Sequence, residues 1–131
     1  MIESAITTAF SGLRAAMQRI SGVASNVANA GNTSPLKPDP AKPAYQPVQT
    51  VQTAVPGGGV LAAFQPLSTP TVPAFQPDSP DANSDGLVGV PNVDMVDQSV
   101  DMIMAQLAFS ANLKTIEAAQ QMQDETLKLK V

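Results

Sequence analysis

Apolar positions recur every three or four residues through two long stretches at the ends of the chain, and they lose that period between them. The later stretch, Asn92 to Val131, contains neither Pro nor Gly. Within it Val96, Val100, Ile103, Leu107, Ala111, Thr115, Ala118, Met122, Thr126 and Leu129 follow one another at an average of ~3.67 residues, the drift of an eleven-residue repeat. This predicts one long helix whose stripe runs nearly straight or slightly right-handed. A second stripe, Met102, Phe109, Leu113, Ile116 and Leu127, falls roughly opposite, and a helix apolar on two faces needs partners on two sides. Asn92 or Asp94 is placed to cap its start. Asp94, Asp97 and Asp101 in the first turns and Lys128 and Lys130 in the last suit the helix dipole.

The earlier stretch, about Ile2 to Ala30, follows a heptad. Ile6, Leu13, Ile20 and Val27 share one position, Ala9, Ala16 and Val23 another, and Phe10, Met17 and Ala24 widen the stripe. Thr7, Ser11, Arg14, Gln18, Ser21 and Ser25 form the polar face of this amphipathic helix. Gly12 and Gly22 each cost about 1 kcal/mol of helix propensity relative to Ala, and with the alanines they let a neighbouring backbone come close. The expected stop is Asn29-Ala30-Gly31, with Gly31 in the left-handed cap conformation.

All twelve prolines lie from Pro35 to Pro91, which excludes long helix there. Ser34 to Lys42 reads as an extended connection. Tyr45 to Val55 carries β-branched residues at Val48, Thr50, Val51 and Thr53, then Pro56-Gly57-Gly58-Gly59 turns the chain and Val60 to Phe64 resumes, which predicts a β-hairpin. Thr71 to Phe75 suits a short third strand that Pro70 and Pro73 confine to an edge. A flexible Pro-rich linker is the alternative for this interval. The expected fold class is therefore mainly α, with two long terminal helices paired in coiled-coil fashion and one small Pro-rich β-hairpin element between them. The segment boundaries are 1–31, 32–91 and 92–131.

Composition narrows the chemistry. With no Cys and no His, disulfides, thiolate metal sites and the commonest general base are all missing, so catalysis is not expected and no cofactor is implied. Net charge is −4 and the seven basic residues are scattered, so no stripe is built to hold nucleic acid. No run reaches the ~18 apolar residues of a membrane span, and residues 1–10 lack the basic start of a secretory signal. Neither helical stretch has the Lys- and Arg-rich face of a membrane-surface helix, so helix-to-helix association is the stronger reading.

One pattern points to metal. Asp81-x-Asn83-x-Asp85-Gly86 copies the first half of a calcium loop, but its twelfth position is Asn92, which cannot supply the bidentate carboxylate. A polar turn bending at Gly86 is preferred, and a small calcium- or protein-binding module using residues 81–92 is the alternative function. Asp97 and Asp101 stand one turn apart, where capping and solubility explain them better than catalysis. Met95, Met102, Met104 and Met122 read as packing residues.

Two motifs carry a resemblance. Ser25-Asn26-Val27-Ala28-Asn29-Ala30-Gly31-Asn32-Thr33 resembles the S-N-x-A-N-x-x-T run that ends the first helix of bacterial flagellar axial proteins, with one residue added. Asp85-Gly86-Leu87-Val88-Gly89-Val90-Pro91-Asn92-Val93 is similar to the D-G-Y-V-x-x-P-N-V stretch leading into their last helix, with Leu87 for Tyr. Gln98-Ser99 stands in place of a Glu-Met pair, and Gln106 to Asn112 lacks the usual Arg. The chain thus resembles the flagellar basal-body rod proteins, closest to the proximal rod branch.

That resemblance implies a structural subunit of a periplasmic drive shaft, exported by the flagellar type III apparatus without a cleaved signal. Its partners would be other rod subunits and further copies in a helical tube. The terminal helices would line the tube. On this basis Ile6, Leu13, Ile20 and Val27 are expected to pack against Val100, Ile103 and Leu107, leaving Phe109, Leu113, Ile116 and Leu127 for adjacent subunits.

Overall fold

The structure, a computed structural model, describes residues 2–129. Expectations for Met1, for Lys130 and for the end of the long helix at Val131 lie outside the described residues. Helix α1 spans Ile2–Asn29 and helix α2 spans Met95–Lys128, and they run antiparallel in contact with each other. Asp94 caps α2, its carboxylate accepting from the backbone N–H groups of Val96 and Asp97. α1 ends one residue before the expected limit. Gly31 does not enter the left-handed region; instead the Asn29 side chain donates to Ser25 O and is itself bonded by Asn32.

Between the helices lie two separate antiparallel sheets of two strands each. β1 (Val48–Ala54) and β2 (Val60–Pro66) form the expected hairpin, closed by Gly57, Gly58 and Gly59, all at positive φ. β3 (Thr71–Phe75) pairs with β4 (Leu87–Pro91). The expectation of a mainly α fold with one hairpin is therefore corrected: helix makes up 48% and strand 21%, and the architecture is mixed. The second sheet was hidden because Gly89 and Pro91 disguise β4, and because its outer edge is covered by Ser34 rather than by a strand. Ser34 and Gly89 exchange backbone hydrogen bonds at 2.9 and 2.8 Å.

The hairpin lies along α1 with its tip at Thr8 and Ser11 and its base at Asn26. A side chain at Gly22 would strike Phe64 and Thr50, so a glycine is what lets the two layers approach. α1 is thus the middle layer, covered by α2 on one side and by the hairpin on another.

Candidate functional site

The element that joins all three layers is Asn26, on the last full turn of α1. It is 2% exposed. Its Nδ2 donates to Val48 O at 2.8 Å and to Gln98 Oε1 at 2.9 Å, while Oδ1 accepts from Val48 N at 2.9 Å and from Tyr45 OH at 3.0 Å. Every hydrogen-bonding position of the amide is used, as burial requires. Ser25 supports the same junction through a 2.9 Å bond with Tyr45 OH. About two turns earlier on α1, Arg19 forms an ion pair with Asp101 of α2.

The seam between the helices differs from the expected one. On α2 the residues turned inward are Gln98, Met102, Ala105, Phe109, Asn112, Ile116 and Ala119, alternately four and three apart. This is a heptad, not the eleven-residue repeat. Opposite them α1 buries Ala9, Leu13, Ala16 and Val23, with Ile6 and Ile20 half-buried. Ala9, Leu13 and Ile116 form the small core, and Phe109 packs against it. Gly12 faces Asn112 so closely that a Cβ there would collide with the amide.

Val100, Ile103 and Leu107, expected inside, are instead 54%, 57% and 61% exposed, and Val27 is also exposed. Ile116, expected to face a neighbouring subunit, is 8% exposed within its own chain. The physical reason is backbone distance. Small and polar residues on the seam let two helices approach closely, and a stripe of Val, Ile and Leu would hold them apart. Leu113 and Leu127 do remain exposed, as do Phe10 and Met17 along α1. The molecule therefore mixes Gly, Ala and Asn with Leu13, Phe109 and Ile116 on its inside and leaves a further set of bulky apolar residues on the outside, more than an ordinary monomer exposes.

The remaining motif residues hold the second sheet in place. Thr33 Oγ1 donates to Asp81 Oδ2 at 2.9 Å, and Lys42 Nζ donates to Asp81 Oδ1 at 2.8 Å. These bonds, Lys42's first and then Thr33's, hold the Asp81 carboxyl below its ordinary value, and the same pairing raises the Lys42 ammonium. Gly86 takes φ +74°, where a side chain would strike Phe75. Pro91 is buried, Asn92 donates to Thr69 O and Pro70 O, and Val93 N donates to Pro91 O.

Within 81–92, then, both Asp81 oxygens are engaged, and Asn83 Oδ1 accepts from the N–H groups of Asp85 and Leu87. Residues 81–86 form a polar turn and 87–91 are strand β4. Among the described residues no cluster of three or more acidic, His or Cys side chains could hold a metal ion. No helix among them is long and apolar enough to cross a membrane.

Sequence reasoning missed Gln98, Tyr45 and Asn112 as partners. The available signal for Gln98 and Asn112 was the heptad line they share with Met102, Phe109 and Ile116, a stripe visible in the sequence but assigned to neighbouring subunits; no pattern marked Tyr45.

Residues 85–129 match the family described as flagellar basal body rod FlgEFG protein C-terminal, beginning at the Asp85-Gly86 turn. The flagellar basal-body rod protein FlgC of Salmonella typhimurium strain LT2 is 31% identical over 91% of this chain and 90% of its own. FlgC of Escherichia coli O157:H7 is 32% identical, and FlgC of Yersinia enterocolitica 36%, with the same coverage of both chains. With two terminal helices joined at Asn26 and relatives matching along nearly its whole length, this chain belongs to the flagellar basal-body rod protein family, close to FlgC.

Proposed function

We propose that this chain, a structural subunit of the flagellar basal-body rod, builds its share of the shaft through the bulky residues that its own fold leaves in water. The observation that carries the reading is the apolar stripe left outside the helix pair: Val96, Val100, Ile103 and Leu107 are exposed on the helix whose Ala105, Ile116 and Ala119 are buried. Exposed contiguous apolar surface marks an interaction site.

As far as they are described, the segments 1–31 and 92–131 form the inner, helical part of the subunit, and residues 32–91 its outer element. Neighbours, both other rod subunits and further copies, cover the stripe of Val96, Val100, Ile103 and Leu107 together with Leu113, Leu127, Phe10 and Met17. Contacts between unlike patches do not close, so they propagate into a tube. Such a tube transmits torque in the periplasm after export by the flagellar type III apparatus. No step calls for catalysis.

The test is the double substitution Ile103→Asp and Leu107→Asp in a motile strain. Both side chains are exposed, so the isolated chain keeps its helix content and is exported, but it disappears from purified basal bodies and motility is lost. Wild-type incorporation of this variant would overturn the assignment.

A further inference from the structure

Strand edges are the places where this molecule offers unpaired main-chain groups, and it closes them unequally. On β4 the outward positions are Leu87, Gly89 and Pro91. Leu87 N is taken by Asn83 Oδ1, Leu87 O by Asn83 N, and Gly89 by Ser34, while Pro91 has no N–H. On β3 the outward row is Thr71, Pro73 and Phe75, broken in the middle by proline, because Gln76 bonds to Gly86 and Asn92 to Pro70 in the other phase. On β2 the row runs Val60, Ala62, Phe64 and Pro66. Its first N–H is held by Ser11 Oγ at 3.0 Å and its last position is again proline.

β1 differs. The bonds from Leu67 N to Pro47 O and from Val55 N to Gly59 O set the phase, so Val48, Thr50, Gln52 and Ala54 point away from β2. Asn26 takes both groups of Val48. Thr50, Gln52 and Ala54 follow, with no main-chain partner among the described residues, no proline and no charge, and Gln52 and Ala54 are exposed. Natural sheets usually guard such an edge with a Lys, a proline or a bulge. Here no charged residue of either sign occurs from Pro43 to Pro77.

We propose that the edge of β1 at Thr50, Gln52 and Ala54 accepts an extended, uncharged strand from a neighbouring rod subunit of a different kind, by main-chain pairing. The proposal rests on the rod-subunit reading above. Three observations select this occupant. The hairpin itself carries no charge, so it offers no ion-pair partner to a charged segment, and the acidic residues Asp94, Asp97 and Asp101 lie at its base beside Val48 and Gln49. The free row continues the line that Asn26 begins at Val48, so the incoming strand extends a pairing already made within the chain. A second copy could offer its own β1, or the shorter row of Ala62 and Phe64 left on β2 between the Ser11 bond and Pro66, and antiparallel β1-to-β1 pairing, the longer match, has two-fold symmetry. That contact closes on itself and cannot recur in a tube whose subunits all point one way. Main-chain pairing supplies the affinity, and the outward side chains Gln49, Val51 and Thr53 meet alternate residues of the incoming strand.

The test compares amide exchange in the free chain and in purified basal bodies, alongside two edge variants. Gln52→Pro removes one outward N–H that makes no bond within the hairpin, and Ala54→Lys places a charge on the edge without removing any N–H. The expected result is at least tenfold slower exchange at Thr50, Gln52 and Ala54 in basal bodies than in the free chain. Incorporation of both variants should fall at least tenfold, while the denaturation midpoint of the isolated Ala54→Lys chain is unchanged. Equal exchange rates in the two states, or Ala54→Lys present in basal bodies at the unaltered amount, would overturn the strand-accepting edge alone. A concentration-dependent dimer of the free chain that Ala54→Lys abolishes would overturn the choice of partner. Absence of even the unaltered chain from basal bodies would instead overturn the rod reading, and the proposal with it.

Discussion

The side-chain amide of Asn26 bonds both main-chain groups of Val48, so one helix residue stands where the next strand of the sheet would be. The same amide donates to Gln98 of α2, which makes the junction dependent on a group with two donors and an acceptor. Asn26→Ala leaves Val48, Tyr45 and Gln98 without their shared partner in a buried site. The expected loss is about 2–4 kcal/mol, since each unsatisfied buried group costs about 1–3 kcal/mol. Urea unfolding of the isolated chain measures it, and a loss below about 0.5 kcal/mol, the level of a neutral surface change, would show that the junction is dispensable.

Gly12 and Asn112 test the close helix seam. Gly12→Ala alone gains about 1 kcal/mol of helix propensity but drives a methyl into the Asn112 amide, an overpacking of about 1–3 kcal/mol, so the single variant should be no more stable than the unaltered chain. Adding Asn112→Ala removes the obstruction, so the double variant should be more stable than Gly12→Ala by itself. A double-mutant cycle giving simple additivity would contradict the contact.

Ile116 and Leu107 separate the inside of the subunit from its outside. Ile116→Ala opens the core it shares with Ala9 and Leu13 and should cost about 2–4 kcal/mol. Leu107→Ala should change the stability of the isolated chain by no more than about 0.5 kcal/mol. Equal costs for the two would reverse the assignment of faces.

The pairing of Asp81 with Lys42 and Thr33 gives stability a defined pH dependence. Asp81 titrates lower in the folded chain than its ordinary 3.8, so its contribution is full above that value and is lost as pH falls through the folded pKa. Lys42 titrates above its ordinary 10.5, so its contribution is full below that value and is lost as pH rises through the folded pKa. Between these limits the pair adds no slope. Asp81→Asn should flatten the difference at both ends, which unfolding midpoints measured across pH will show.

Both helices, the hairpin and its glycine turn could be read from period, proline placement and the Pro-Gly-Gly-Gly run, because each is a local signal. Of the second sheet, the strand from Thr71 to Phe75 could be read as well, but β4 could not, since it owes its pairing to β3 and to the distant Ser34. The helix seam was obscured for a related reason. Periodicity counts bulk, and in this molecule the bulky residues Ile103 and Leu107 face out while Ala105 and Asn112 face α1. The two family motifs were visible as letters; that Asn26 serves as a substitute strand and Thr33 as a tether to Asp81 emerges only from the folded geometry.

α1 has 28 residues and α2 has 34, and the last turns of α2, beyond Ala119, are exposed from Gln120 to Leu129. At 1.5 Å per residue that overhang is about 15 Å of helix with no cover from its own chain. Any neighbour that covers it must overlap the subunit lengthwise, as courses of brick overlap at staggered joints. Within such an array no flat plane passes between one tier and the next without crossing a helix, so a bending load meets covalent backbone at every level.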